Sequence, residues 1–366
     1  MNKTADILHD MIQAENPFAS PAKRFSKWSL GRECHPPQLR AVFKDSIGFT
    51  LLEMLVAMAV TSLIVVLLLV LMQSATSTWQ RNTDRSQAFA SARAAFESMS
   101  RTIGASTLNT YEDYYDSARK TRVSGDLTFR PSIYGRKSDL HFVTGNALVT
   151  GQQGGGVFFT APFDFDTNSI TSATGGQLNG IGFFVRFSAD TLPAFITNNP
   201  PRYRLFQFLQ PTTSLKTMNT NFSGNAWFTN DVNASNNCYP LAANIVAFAV
   251  LPKLSERENT NLNSLTTDFA YDSRMPWTGG SQPTNMHQLP PVVRVAMVAL
   301  DESSAKRIQN GATAPDLGYD PATIFDTAAT LETSLDTIAT KLSEKNLKYR
   351  VFRADIPIRG AKWSAD

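Results

Sequence analysis

The sequence predicts an α+β chain. One long N-terminal helix, its first part apolar enough to span a membrane, leads into an antiparallel, β-rich globular domain. Three observations carry that expectation. Residues 49–72 form a nearly unbroken apolar run. Phe89, Ala92, Phe96, Met99 and Ile103 then recur at intervals of 3, 4, 3 and 4, the spacing of one helical face. From about Leu127 onward, short apolar alternations sit between turn-rich loops, which is the pattern of strands.

Overall composition is ordinary for 366 residues, with 42% hydrophobic, 18% charged and a net charge of +3. The distribution of apolar residues is therefore more informative than their amount. Between Phe49 and Met72 the polar residues are Thr50, Glu53, Thr61 and Ser62, and Leu63–Met72 has none. At ~1.5 Å per residue the run reaches about 36 Å, enough to cross ~30 Å of hydrocarbon. A buried core helix is the competing reading, but a core helix of this length ordinarily keeps a polar face. No second segment qualifies, so the chain reads as single-pass.

Within residues 22–48, Lys23, Arg24, Lys27, Arg32, Arg40 and Lys44 precede the run against Glu33 and Asp45; Arg81, Asp84, Arg85 and Arg93 follow it. The excess of upstream base predicts a cytoplasmic N-terminus and an exported C-terminal domain. Cys34 and Cys238 then lie in different compartments, and no intramolecular disulfide is expected. Cys238 reads as a semi-buried small side chain. No basic patch argues for a nucleic-acid partner.

Glu53 is the anomaly of the run. A carboxylate in the bilayer centre costs about 2.5–3.5 kcal/mol on insertion scales, so near the membrane edge it calls for a partner or for hydration at the headgroups. Gly48 and Phe49 stand just before the run, behind basic residues. In a secretory signal the cut site follows the apolar stretch; cleavage between Gly48 and Phe49 would leave the whole helix on the mature chain.

The stretch "GFTLLEMLVAMAV" resembles the class III signal of type IV pilins and type II secretion pseudopilins. The resemblance implies that a prepilin peptidase cuts after Gly48 and that the new terminal Phe49 is N-methylated. It implies that Glu53 is the assembly carboxylate, meeting the terminal amine of a neighbouring pilin-like subunit in a filament. The implied leader, residues 1–48, is longer than that family's pattern; its Pro-, Ser- and charge-rich part reads as disordered.

The elements follow in order. Residues 49–72 are the transmembrane part of the helix and 73–104 its amphipathic continuation, with Gly104 as the stop. The apolar stripe packs on the domain or, alternatively, on a coiled-coil partner. The domain occupies 105–366. Strands are expected at 126–131, 138–145, 155–163, 180–188, 202–210, 244–252, 291–301 and 348–358. The nearly continuous apolar run at 291–301 reads as a central strand.

Residues 211–240 are Asn-rich and polar, and read as a surface-loop insertion. Residues 320–345 read as a helical insertion, with Asp320 capping, Pro321 in the first turn, and Ile324, Ala328, Leu331, Leu335, Ile338 and Leu342 on one face. That helix packs on the sheet or offers a docking surface to a filament partner. The strands "NIVAFAVLPKL" and "LPPVVRVAMVALDE", with "YDSR" between, resemble the J-type minor pseudopilins, and the chain overall is similar to the prepilin-type Verru_Chthon cassette protein C family.

Catalytic signals are lacking. His141 and His287 are the only histidines after the span, and no metalloprotease, redox, nucleophile-elbow or P-loop spacing occurs. "GQQGGGV" at 151–157 reads as a hairpin loop rather than a phosphate cradle. Glu112, Asp113 and Asp116, and Asp164 with Asp166, offer hard oxygens for Ca²⁺, but without EF-hand spacing they read as solvated loop charges. The expectation is a chain with no catalytic residues, no cofactor and no metal. It is a minor pseudopilin-like subunit in the inner membrane with a periplasmic domain, whose partners are the peptidase, other pilin-like subunits and membrane lipid. The alternative is a single-pass anchored binding protein for an exported substrate or surface partner.

Overall fold

The computed structural model describes residues 50–123, 125–165, 176–190, 199–218, 224–254 and 265–363, without the side chains of 84–88. The leader 1–48 with Cys34 and Gly48, the terminal Phe49, and Asp166 lie outside the described residues. The chain divides into two compact units, Met1–Val66 and Leu67–Asp366.

Helix α1 (Leu51–Gly104) begins in the first unit. Among the described residues of that unit, 51–66 are helical and exposed throughout. Thr61 and Ser62 turn their hydroxyls back onto the carbonyls of Ala57 (2.8 Å) and Ala59 (2.9 Å), so neither presents a bare donor to the surroundings. Such back-bonding is how hydroxyl residues are accommodated in a span.

The second unit is built on antiparallel sheets. Strands β1 (Tyr111–Tyr115) and β2 (Ile133–Lys137) form a two-stranded ribbon. A six-stranded sheet uses β3 (Val143–Gly145), β4 (Gln152–Pro162), β5 (Leu178–Ser188), β6 (Arg202–Gln210), β7 (Cys238–Ala243) and β9 (Tyr271–Asp272) in the order β7-β6-β5-β4-β3-β9. A three-stranded sheet places β10 (Val292–Leu300) between β8 (Ile245–Lys253) and β11 (Tyr349–Pro357). The apolar 291–301 segment is thus a central strand, paired on both sides.

One apolar core joins the two larger sheets to the last turns of α1 and to helix α4 (Leu331–Glu344), which follows the short α3 (Glu302–Ile308). Ile181, Phe183 and Val185 of β5 point into it, while Phe184 points the other way into a second cluster. Both faces of the six-stranded sheet are therefore covered, which explains why its strands carry consecutive rather than alternating apolar residues. The cover on the second face is helix α2 (Ala226–Asn233), whose Trp227, Phe228 and Val232 are fully buried. Phe228 stacks on Phe158 with ring centroids 3.9 Å apart.

Several expectations are corrected. Residues 126–131 form no strand, with a bend at Leu127 and Thr128, and of 138–145 only Val143–Gly145 is paired. The 211–240 insertion is not all surface loop: it holds α2 and the start of β7. In the 320–345 segment the α-helix begins at Leu331, not at Asp320. Asp320 instead accepts from Ala322 N (3.0 Å) and the Thr323 hydroxyl, closing a turn. Leu331, Leu335, Ile338 and Leu342 of α4 do form one buried face.

The glycine run is not a hairpin loop. It lies inside β4, where pairing with β5 shifts register between Gln152 and Gly156. A Cβ on Gly154, whose φ is +71°, would stand 2.6 Å from the Phe248 carbonyl oxygen, and one on Gly155 would stand 2.9 Å from Val250 N. The backbone of β4 thus approaches β8 too closely for any side chain, a recognised use of strand glycines. Gln152 closes the irregularity by donating to the carbonyls of Gly145 and Gly154, each at 2.8 Å.

Candidate functional site

Of the three residues singled out by the N-terminal signal, Glu53 is described, and its geometry adds something the sequence reading missed. Thr50 sits at the start of α1, its carbonyl accepting from Met54 N at 3.2 Å. The Thr50 hydroxyl accepts from Glu53 N at 3.3 Å, while Glu53 Oε2 accepts from Thr50 N and from the Thr50 hydroxyl, both at 3.1 Å. This is a reciprocal capping box. It satisfies backbone donors that a helix start otherwise leaves unpaired. The sequence signal was T-x-x-E directly before an apolar run. Among the described residues the other carboxylate oxygen, Oε1, takes no hydrogen bond, so the cap uses only half of the acceptor capacity of Glu53.

Downstream of the cap, Leu51–Thr83 is a helix long and apolar enough to cross a membrane by length and composition. None of its apolar window is buried within the described residues. Trp79, 75% exposed, follows the run, with Arg81 two residues on. This is the aromatic-plus-basic signature of a membrane–water interface.

The character of α1 then changes. Ala92, Phe96, Met99 and Ile103 are buried in the main core with Ala95, and Phe89 is half-buried against it. Phe96 meets the Phe352 ring of β11 at 5.8 Å. Arg359 N donates to the Gly104 carbonyl at 3.2 Å where the helix stops. The stripe is therefore occupied by the domain itself.

Most of the remaining candidates have structural partners. His141 is fully buried: Trp227 Nε1 donates to its Nδ1 at 3.0 Å, and its Nε2 lies 2.7 Å from Asp272 Oδ1. With Nδ1 accepting, Nε2 carries the proton and donates to the carboxylate. Burial lowers the pKa of His141 despite that carboxylate. Burial opposes ionisation of Asp272 too, but the His141 bond and Arg274 outweigh it and hold the carboxyl below its usual value. The trio ties β9 to α2.

His287 has a left-handed backbone (φ +59°), and burial together with the Arg274, Lys137 and Arg136 charges pushes it down to about 4. Cys238 is half-buried, its Sγ lies 3.2 Å from the Asn236 carbonyl, and burial pushes its thiol up to about 11. It is not a poised nucleophile.

Two of the acidic candidates depart from the loop charges expected, while Asp116 and Asp164 do lie in loops. Glu112 and Asp113 lie in β1, and Asp113 is 3.4 Å from Lys137 Nζ. Asp116 accepts from Lys120 N at 2.8 Å, and Asp164 accepts from Gln177 N at 2.6 Å. Among the described residues no three such ligands are grouped to hold a metal.

With the helix start in view, the comparison with protein families is decisive for one segment. A family model for the prokaryotic N-terminal methylation motif matches residues 44–69. The chain carries a pilin-type N-terminal signal. That motif is the mark of a type IV pilin-like or pseudopilin precursor, and the match covers Gly48, Phe49, the capping box and most of the apolar run. No curated protein and no solved structure matches the chain.

Proposed function

We propose that the chain is a non-enzymatic, minor pseudopilin-like subunit. In this reading a prepilin peptidase cuts after Gly48 and the new Phe49 terminus is methylated. The mature chain sits in the inner membrane with its N-terminus cytoplasmic and its β-domain periplasmic. It joins a type II secretion or type IV pilus-like filament through α1. The strand pattern at 244–302 favours a J-type minor subunit, or a member of the Verru_Chthon cassette protein C family, among pilin-like chains.

The observation that carries the reading is the overlap of the methylation motif with a fully exposed apolar helix that opens on Thr50 and Glu53. An anchor alone needs a long apolar run, and a capped helix start needs T-x-x-E. Neither requires a glycine and an aromatic residue immediately before the cap, on the cytoplasmic side of the run. A neighbour's ammonium is a fitting partner for the Oε1 atom that the cap leaves open, because a charge near hydrocarbon gains most from a paired opposite charge.

Glu53→Gln separates capping from assembly. Gln retains an acceptor and completes a capping box as Glu does, but it carries no charge. The expected result is a processed, membrane-bound chain that no longer co-purifies with other pilin-like subunits after cross-linking. Wild-type co-purification of Glu53→Gln would leave the carboxylate with only its local capping role.

A further inference from the structure

The β1–β2 ribbon borders a feature that neither membrane anchoring nor assembly uses. An open cleft of about 720 Å³ lies between it and the loop carrying Trp277. This is within the ~300–1,000 Å³ range of ligand sites. The apolar cavity beside Phe187 and Tyr203 holds only about 30 Å³, room for one or two waters, and is too small to compete.

We propose that this cleft binds a saccharide chain, with Trp277 and Tyr134 as stacking platforms and Glu112, Arg136, Ser281 and Gln282 as hydrogen-bonding groups for its hydroxyls.

Four features of the lining select that chemistry. First, its rings are fixed, Trp277 half-buried and Tyr134 exposed. Trp277 Nε1 donates to the Gly280 carbonyl at 3.1 Å, the Tyr115 ring meets its edge at 5.2 Å, and the Arg119 guanidinium lies 5.5 Å from its ring. Tyr134 stands 57% exposed and packs on Tyr114 across the ribbon at 5.2 Å. A rigid aromatic surface loses little entropy when a ring of C–H groups settles on it.

Second, the polar groups are planar and held in place. Gln282 Oε1 accepts from Arg136 N at 2.8 Å and its Nε2 donates to the Arg136 carbonyl at 2.6 Å, so the amide is clamped to β2. The Glu112 carboxylate bonds the Tyr134 hydroxyl and holds the phenol above its usual pKa.

Third, the charges offset one another: Glu112 and Arg136 face each other across the ribbon register. Arg119, held against the Trp277 ring, adds one further positive charge, so a phosphate backbone or a strongly charged peptide finds little net attraction. Fourth, Ile133 is the one aliphatic side chain in the lining. A lipid tail or an aliphatic peptide anchor calls for far more of that surface. Gly135 lets Trp277 and Gln282 settle directly on β2: a Cβ there would stand 3.0 Å from the Trp277 ring and 3.1 Å from Gln282 Oε1.

The proposal holds for a filament subunit and for a simple anchored domain alike. The test uses the full processed chain in a zwitterionic detergent free of sugar headgroups. It is titrated calorimetrically with cellohexaose, chitohexaose, maltohexaose and, as the rival class, a polyproline peptide. At least one saccharide is expected to bind. Tyr134→Ala should weaken it about tenfold or more, a loss of roughly 1.4 kcal/mol. Tyr134→Phe should retain most of the affinity, and Gly135→Ala should weaken binding by displacing Trp277. Melting temperature is followed for each variant; because Tyr134 is exposed, its removal leaves the fold intact.

Failure of every saccharide to bind would overturn the proposal. So would binding by the polyproline peptide alone, or unchanged saccharide affinity in Tyr134→Ala. Glu53→Gln is expected to bind the saccharide as wild type does, so failure of the filament reading and failure of this one are read separately.

Discussion

The two ends of α1 obey opposite rules. From Leu51 to Met72 apolar side chains cover every face and all are exposed; from Ala92 to Ile103 the large ones, Phe96, Met99 and Ile103, keep to one stripe and are buried. Leu55 is 61% exposed and Met99 0%. The first stretch therefore requires a solvent other than water, or other helices, around it. The second requires only its own domain. Apolar content fails to distinguish the two; periodicity does so, because a stripe implies one covered face and an unbroken run implies that all faces meet an apolar medium.

The largest effect expected from breaking this contrast is at Met99. Met99→Ala removes a side chain buried against the sheets and should destabilise the domain by about 2–5 kcal/mol, read as a lower denaturant midpoint. Next comes the centre of the run. Leu63→Arg places a charge where insertion costs about 2.5–3.5 kcal/mol, so the membrane-bound fraction should fall while the melting of the domain stays unchanged.

A smaller effect is expected from acid. The pKa of His287 is lowered from 6.5 to about 4 in the folded chain. Above pH 6.5 it is neutral in both states. Between 6.5 and about 4 the unfolded chain takes up the proton that the folded one refuses, so stability falls as pH falls through that window. His141, lowered by burial, adds with the same sign. Thermal melts at pH 7 and pH 5 should show the lower temperature at pH 5. The smallest effect is at Leu55: because its side chain is exposed, Leu55→Ala should shift domain stability by no more than about 0.5 kcal/mol.

Much of this was legible in the sequence, for reasons that can be traced to particular residues. The helix, its stripe, the long strands and the central position of 292–300 all follow from periodicity or from unbroken apolar runs. What was not legible depends on tertiary contact or on competing local chemistry. The strands β1 and β2 read "YEDYY" and "IYGRK", where charge hides the alternation. Helix α2 is embedded in Asn-rich sequence, and Trp227, Phe228 and Val232 reveal themselves only once the second face of the six-stranded sheet needs a cover. The glycines of β4 looked like a turn because their reason, the backbone of β8, lies far away in sequence.

At the candidate site the miss was of another kind. The T-x-x-E pattern of Thr50 and Glu53 spells a capping box, but a charge beside hydrocarbon calls equally for a partner outside the helix, and the sequence alone does not separate the two uses. The cleft beside Trp277 left no signal, since its lining comes from three separate stretches of chain.

The central claim is that Gly48 and Phe49 form a processing site that leaves the apolar helix at the new terminus. Mass spectrometry of the N-terminal peptide of the membrane-bound protein tests it most directly. The account predicts a chain that begins at Phe49 and carries a methyl group on its terminal amine. A terminus upstream of Phe49, or one beyond the apolar run, would contradict it.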